Sequence, residues 1–382
     1  MPYLNQQNSV QMQINIREVQ TSREIKQFIR FPHKLYKGSK QYVPVLDSDE
    51  LSVLTKSPSL DYCKIKMWLA YSEKKKIIGR IAGILNPRAD EFQQYKRVRF
   101  GWFDFIDDAD VAKALLDKVE EWGKEEGKTE IHGPLGYNTW NRQGMLFEGF
   151  ENTPPINCLY NYSYYPKIMD LLGYNKQVDW IQIKITANVG VPDKLKRINE
   201  LLIEKHHLKI LDIKKLKNID SLVERFFKSY NKSFSRIDNF APLTPNEIKS
   251  IGKTYFPMLK PELTSIVVDE QDNIAAFGIC FPNLSQAFKK AKGRLFPFGW
   301  YHIMRGFRKY DSIDLMLLGA APDWQNKGIS AIPHTHLATI FQKIDLKYAI
   351  SNPQAEDNSA FKVWERYEHF PYMKRRCYIK NI

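Results

Sequence analysis

The sequence predicts an α/β protein of two lobes built to one plan. Three observations predict it. The chain has 382 residues, more than one hydrophobic core ordinarily serves, because domains run to roughly 100–200 residues. Hydrophobic residues make up 43% and charged residues 26%, a core-forming composition that excludes disordered, collagenous and fibrous classes. The same succession of strands and helices also runs through the chain twice, with a boundary over 186–192. The expected lobes are therefore 1–186 and 187–382.

In the first lobe, 13–19 alternates as a short strand. Thr21 with Glu24 three residues later marks a helix start, a hydroxyl cap followed by a carboxylate, and the helix runs to about 36. Segments 66–72 and 77–85 are β-rich and joined by the charged turn 73–76, which predicts a hairpin. A third strand covers 98–106. Over 110–127, Val111, Ala114, Leu115, Val119 and Trp122 share one helical face. A short strand at 130–133, a long loop at 134–160, a helix at 164–172 and a strand at 177–185 complete the lobe. The second lobe reads as strand 208–213, helices 219–234 and 244–259, and paired strands 263–269 and 274–281. Strand 313–320, helix 328–344, strand 348–350, helix 359–367 and strand 374–380 follow.

No apolar run approaches the roughly 18–20 residues a bilayer span needs. The first 13 residues are uncharged and polar, unlike a signal peptide, so a cytoplasmic protein is expected. Cys63, Cys158, Cys280 and Cys377 are widely spaced and read as reduced, buried thiols rather than a disulfide framework. The histidine pairs His206-His207 and His334-x-His336 have no third ligand at a recognisable spacing, so no metal site is expected. Charge is more telling. Up to Thr186 there are 26 basic and 23 acidic residues, and beyond it 31 and 20. The second lobe carries most of the net +14 and should attract an anion.

Between the strand ending at Ala320 and the next helix lies Trp324-Gln325-Asn326-Lys327-Gly328-Ile329-Ser330. A helix start offers unpaired N–H groups and partial positive charge, which suit a phosphate. Gly328 allows close backbone approach, Ser330 is small, and Lys327 adds a full charge. The glycine-lysine stretch at 123–129 is not a phosphate loop, being one residue short and running from helix into strand.

Gln325-x-x-Gly328-x-Ser330 resembles the pyrophosphate loop of the GNAT (Gcn5-related N-acetyltransferase) superfamily, Arg/Gln-x-x-Gly-x-Gly/Ala, with serine as the departure. Glu356-Asp357-Asn358-Ser359-Ala360 leading to Trp364-Glu365 is similar to the later asparagine-containing helix of that superfamily. The resemblance covers roughly 208–382 and implies a lobe that is a mostly antiparallel mixed sheet flanked by helices. It implies acyl-CoA as the donor, acetyl-CoA by default. Gln325, Asn326, Lys327, Gly328, Ile329, Ser330 and Asn358 would bind it, and Leu318, Gly319 and Ala320 would form the strand bulge and oxyanion amide. The general acid assigned to the superfamily is a tyrosine after Asn358. Here Trp364 stands in that neighbourhood and Tyr367 is out of register, so the catalytic candidates are Asp314, Glu356 and Tyr367.

The first lobe at the equivalent place reads Asp107-Asp108-Ala109-Asp110 with no glycine. Carboxylates suit a helix start but oppose phosphate. A GNAT-like first lobe would therefore be a scaffold or acceptor platform. Its loop 133–165 resembles that of bacterial two-lobed GNAT-like proteins and is rich in ligand-type residues. Tyr137, Asn138, Trp140, Asn141, Asn161, Tyr164 and Tyr165 either line an acceptor cleft or pack one lobe on the other.

A second insertion, 284–310, has seven Lys or Arg, no acidic residue and seven aromatics. Such a pattern suits a membrane surface, an acidic acceptor or single strands, or a lid over an acyl chain. The expected acceptor is a small-molecule or peptide amine. The rival readings are a FemABX-type aminoacyl transferase, the one case in which nucleic acid, as tRNA, would be a partner, and a non-catalytic CoA-binding protein.

Overall fold

The computed structural model describes residues 13–186, 190–215, 219–357 and 368–382. Its strands are β1 (Ile14–Glu18), β2 (Lys64–Ser72), β3 (Ile77–Leu85), β4 (Arg97–Phe105), β5 (Glu130–Gly133), β6 (Met145–Glu148) and β7 (Asn175–Thr186). They continue as β8 (Lys209–Ile210), β9 (Thr264–Val268), β10 (Ile274–Pro282), β11 (Ser312–Ala320), β12 (Tyr348–Ser351), β13 (Gln354–Ala355) and β14 (His369–Asn381). The first-lobe helices are α1 (Ser22–Leu35), α2 (Asp47–Lys56), α3 (Pro87–Gln93), α4 (Ala109–Glu125) and α5 (Tyr164–Leu171). Then come α6 (Asp193–Lys205), α7 (Ile219–Ser233), α8 (Pro245–Tyr255), α9 (Ser285–Ala291), α10 (Gly299–Arg308) and α11 (Ala331–Phe341).

Local chemistry accounts for the elements read from sequence. Thr21 caps α1 in a full capping box with Glu24, and Thr244 caps α8 in the same way with Glu247, each satisfying otherwise orphaned N–H groups. The apolar face of α4 buries Val111, Leu115, Val119 and Trp122 against β2, β3 and β4. In the second lobe α7 buries Phe226, Phe227 and Tyr230 against Phe277 and Ile279 of β10.

The strands form one mixed sheet in the order β1-β2-β3-β4-β5-β14-β7-β12-β11-β10-β9-β8, with β6 on β14 and β13 on β7. Each half contains one parallel pair, β4 with β5 and β11 with β12, and the helix joining each pair is α4 or α11. Each half also has an extra residue in the first strand of that pair. The β3–β4 register slips by one across 102–103, where Trp102 adopts φ 44°. The β10–β11 register slips at Met316, because Ile279 faces Leu317 while Cys280 faces Leu315. The repeat read in the order of elements therefore extends to a matching bulge.

The two halves share strands. The chain's last strand, β14, inserts between β5 and β7, and β7 in turn pairs with β12. Arg376 of β14 clamps Asp179 of β7 with two hydrogen bonds of 2.7 and 2.9 Å. The sheet thus runs without a break past residue 186, and the last strand lies against the first lobe rather than with its sequence neighbours.

Several details correct the sequence expectation. The helix expected from residue 328 begins at Ala331, because Asn326 and Gly328 take left-handed backbone angles that a helix cannot continue through. The bulge lies at Met316, not in Gly319-Ala320. The strand expected at 208–213 pairs over two residues only. Helices α2, α3 and α6 and strand β6 were not anticipated. β6 is four residues long and is fixed by β14, more than 220 positions away, so no local signal marks it. The helix expected at 359–367, with Asn358 and Tyr367, lies outside the described residues.

Candidate active site

The parallel pair of the second lobe opens into a wedge. β11 and β12 are in register from Ser312–Tyr348 to Leu315–Ser351, and Asn352 N donates to Leu315 O at 2.9 Å. Beyond that point the two strands part. β11 follows β10 as far as Ala320, while the chain after β12 follows β7, placing Gln354 and Ala355 opposite Ile181 and Trp180. Residues 315–319 are correspondingly half-buried in a strand whose ends are buried. Leu315 and Leu318 lie with Ile181, Ile183 and Ile185, so the wedge has an apolar wall.

Strand alternation shows which amide faces the opening. Ala321 N donates to Ala275 O, and Asn283 N to Ser312 O, so odd-numbered β10 residues aim their peptide groups at β11. Their opposite numbers past the bulge are Leu317 and Gly319. Leu318, between them, turns its N–H away from β10 and toward the wedge. Ala320 O accepts from Ser233 Oγ at 3.3 Å and Gln325 Nε2 at 3.4 Å.

The turn following β11 leaves its backbone amides open. Asn326 has φ 61° and Gly328 φ 76°, and residues 325–328 are exposed. Among the described residues, the backbone amides of Asn326, Lys327, Gly328, Ile329 and Ser330 donate to no protein group. Ile329 is fully buried with Ala320, Ile332 and Val267, which anchors the turn while its amides stay free. Lys327 Nζ sits 4.9 Å from the Trp324 ring centroid. A run of free amides at the head of an eleven-residue helix, beside a lysine, has the donors and charge that suit a diphosphate. A bound CoA would be held here by the amides of 326–330 and by Lys327.

The matching places in the first lobe are closed. Asp108 caps α4, its carboxylate accepting from Asp110 N at 2.9 Å and Val111 N at 3.2 Å. The segment after β5 fills the gap beside β4: Leu135 N donates to Phe100 O at 2.8 Å. A side chain on Gly101 would strike Leu135 O, so glycine there lets the backbone close the wedge.

Asp314 lies at the vertex of the open wedge and is 3% exposed. Burial pushes its carboxyl up to about 7, against a single hydrogen bond from Asn283 Nδ2 at 2.7 Å that works the other way. Its charge reaches the Cys158 thiol and the Tyr372 phenol, and each is raised mainly by its own burial. Arg375 of β14 is fully buried nearby. Its Nε donates to Gln182 Oε1 at 3.2 Å, and Nη1 has no partner among the described residues. Asn157 Nδ2 donates to Asn352 Oδ1 at 3.0 Å, tying the long first-lobe loop to the vertex. Sequence reading picked out Asn157 as a ligand-type residue of its loop but missed Cys158, Asn283 and Arg375, because only the fold brings their segments near Asp314.

The remaining site candidates are dispersed. Glu356 is paired with Lys176, and its N–H bonds Asp179 O at 3.0 Å, which places it along β7 and away from the vertex. Tyr137 is buried with Cys63 and Ile84, and Asn141 Oδ1 accepts from Tyr137 N at 2.8 Å. Asn138 Nδ2 donates to Glu247 Oε1 at 2.8 Å. Asn161 spends its amide on Leu146 and Tyr162, Tyr164 donates to Phe105 O, and Tyr165 bonds Tyr36 and Phe105 N. Apart from the Tyr137 hydroxyl, which is buried with no partner among the described residues, these polar groups are consumed in holding the chain together. Trp140 is different: it packs between Phe227, Tyr230 and Tyr255, in the cluster that includes Leu317 of the wedge.

No family model matches the chain. It superposes over 97% of its length on the tandem GNAT protein of the clavulanic acid biosynthesis pathway, covering 98% of that chain with a TM-score of 0.53 at 9% identity. The chain has a tandem GNAT fold. It also matches the GCN5-related glucosamine N-acetyltransferase region of a fungal multi-domain GH3 beta-N-acetylglucosaminidase, with a TM-score of 0.58 at 11% identity. That match covers 97% of this chain but only 38% of the fungal one. In sequence, the chain is 26% identical to Protein YghO of Escherichia coli K12 over 309 residues, 79% of this chain and 77% of that one. It is 24% identical over 302 residues to the bacterial ceramide synthase of Caulobacter vibrioides, covering 78% and 77%. No helix among the described residues is long and apolar enough to cross a membrane.

Proposed function

We propose that the chain is an acyl-CoA-dependent N-acyltransferase whose second lobe holds the donor, with an amine acceptor entering at the cleft between lobes. The observation that carries this reading is the contrast between the halves: one wedge open with free amides behind it, the other closed with its helix capped by Asp108. Acyl-CoA supplies an activated acyl group and leaves as the thiol. The amine nitrogen bonds the acyl carbon as the carbon–sulfur bond breaks, and one amine proton must be removed. Asp314, with its carboxyl raised to about 7, is the proton acceptor near neutral pH. The Leu318 amide donates to the oxygen on which negative charge develops. Trp140 and the apolar wall formed with Ile183 and Ile185 bound the acceptor side.

The ceramide synthase relative makes a long-chain amino alcohol the first acceptor to try, and the apolar lining of the wedge makes a long acyl group a donor to try beside acetyl. The test is thiol release from acetyl-CoA and palmitoyl-CoA with a panel of amines that includes sphinganine. Thiol release that depends on the amine is expected. CoA binding without transfer to any amine in the panel would remove the catalytic reading, and no CoA binding would remove the reading altogether.

A further inference from the structure

Eleven large hydrophobic side chains are exposed among the described residues, and five of them fall within nine positions: Phe296, Phe298, Trp300, Tyr301 and Met304. Phe296 is 77% and Phe298 70% exposed. Such clustering is not the scatter expected of a soluble surface. Helix α10 explains the grouping. Gly299 and Gly306 form its packed face, since a side chain on Gly299 would strike Arg294 O and one on Gly306 would press on Ala287 of α9 and on Leu284 just before it. Trp300, Tyr301, Met304, Arg305 and Arg308 fall on the opposite face at 100° per residue.

The pair of helices is firmly seated. Ser285 Oγ donates to Pro154 O at 2.8 Å, Asp47 N to Gly293 O at 2.9 Å, and Lys289 Nζ to Thr153 Oγ1 at 2.9 Å. The base of the insertion is thus bonded to the first lobe while its far end projects apolar side chains outward. Lys290, Lys292, Arg294, Arg305, Arg308 and Lys309 of the insertion are exposed, and no acidic residue occurs from 284 to 310. Exposed apolar tips accompanied by exposed cations are complementary to an anionic bilayer surface, where rings enter the headgroup layer and guanidinium groups meet phosphates.

We propose that residues 294–308 dock the protein on an anionic lipid bilayer, with Phe296, Phe298, Trp300, Tyr301 and Met304 inserted at the headgroup level. Asn283, which hydrogen-bonds Asp314, lies two residues before α9, so the docking element grows directly from the wedge. The acceptor or acyl chain would then reach the site from the membrane. This last point rests on the acyl-transfer reading; the docking itself does not.

The test is co-sedimentation of the full chain with vesicles of equal parts phosphatidylglycerol and phosphatidylcholine, with pure phosphatidylcholine vesicles and a single-stranded oligonucleotide alongside. Binding to the anionic vesicles, weakening as salt is raised, is expected. The triple variant Phe296→Ser, Phe298→Ser, Trp300→Ser should lose at least tenfold in vesicle affinity, and Arg305→Glu with Arg308→Glu should flatten the salt dependence. All five side chains are exposed, and unchanged thermal melting and CoA affinity would verify that the variants fold. Wild-type protein that ignores anionic vesicles, a triple variant that binds like wild type, or an aromatic cluster needed only for the oligonucleotide would overturn the proposal. Vesicle binding without CoA binding would uphold it while defeating the acyltransferase reading.

Discussion

Replacing Asp314 by asparagine separates the role of this carboxyl in the fold from its role in chemistry. The native carboxyl is raised from 3.8 to about 7 by burial. Below about pH 4 both the folded and unfolded chains hold the proton. Between 4 and 7 the folded chain still holds it and the unfolded chain has released it, so unfolding releases a proton and rising pH favours the unfolded state. Above 7 the folded group ionises too, and the slope levels off. A rise of about three pKa units corresponds to roughly 4 kcal/mol of stability lost across this window, an upper figure because the site can relax around the charge. Asparagine keeps the size and can still accept the hydrogen bond from Asn283 Nδ2, but it cannot ionise. Urea unfolding of both proteins at half-unit steps from pH 4.5 to 8.5 should therefore give diverging curves. The variant should match or fall slightly below wild type at pH 5 and become the more stable protein above pH 7. Acyl transfer by the variant should fall by about 10²-fold or more, as loss of a general base usually does. Parallel stability curves would mean that Asp314 is not held protonated by burial, and its proposed role as base would go with it.

Two further predictions address the cofactor half. Gly328→Asp places a carboxylate beside the free amides, where repulsion of a diphosphate is worth on the order of 1–4 kcal/mol; calorimetric CoA affinity should fall at least about fivefold. Gly328→Asn is the control, since asparagine tolerates the left-handed φ of 76° without adding charge, and it should bind CoA far better than the aspartate variant. Replacing Asp107, Asp108 and Asp110 together by alanine should leave CoA affinity within twofold of wild type. The same variant should lose about 1 kcal/mol of stability through the missing α4 cap, read as a lower urea midpoint; a large loss of CoA binding would place the donor in the wrong half.

Much of the fold was legible because its signals are local. The capping boxes at Thr21 and Thr244, the amphipathic stripe of α4 and the hairpin β2–β3 each follow from residues within a few positions of one another. The turn at 325–330 was legible for the same reason, because Gly328 and its neighbours specify their own backbone. The acceptor-side candidates were less so. Asn161, Tyr164 and Tyr165 look like ligand residues in sequence, yet their polar atoms are taken up by Leu146, Phe105 and Tyr36. Side-chain type does not reveal whether its partner is a substrate or a buried backbone group.

The sequence alone determined the succession of the longer elements, the cationic second half, the uncapped glycine turn in one lobe and the self-capping aspartate in the other, because each depends on short-range sterics or net charge. Only the tertiary structure decided that β14 would cross into the first lobe, that β11 and β12 would part after Leu315, that Asn283 would bond Asp314, and that Cys158 would lie within the field of both Asp314 and Arg375. Strand pairing and burial are settled by contacts between segments tens to hundreds of residues apart. The pKa of Asp314 and the exposure of Phe296 and Phe298 follow from those contacts, and neither is a property of the residues taken singly.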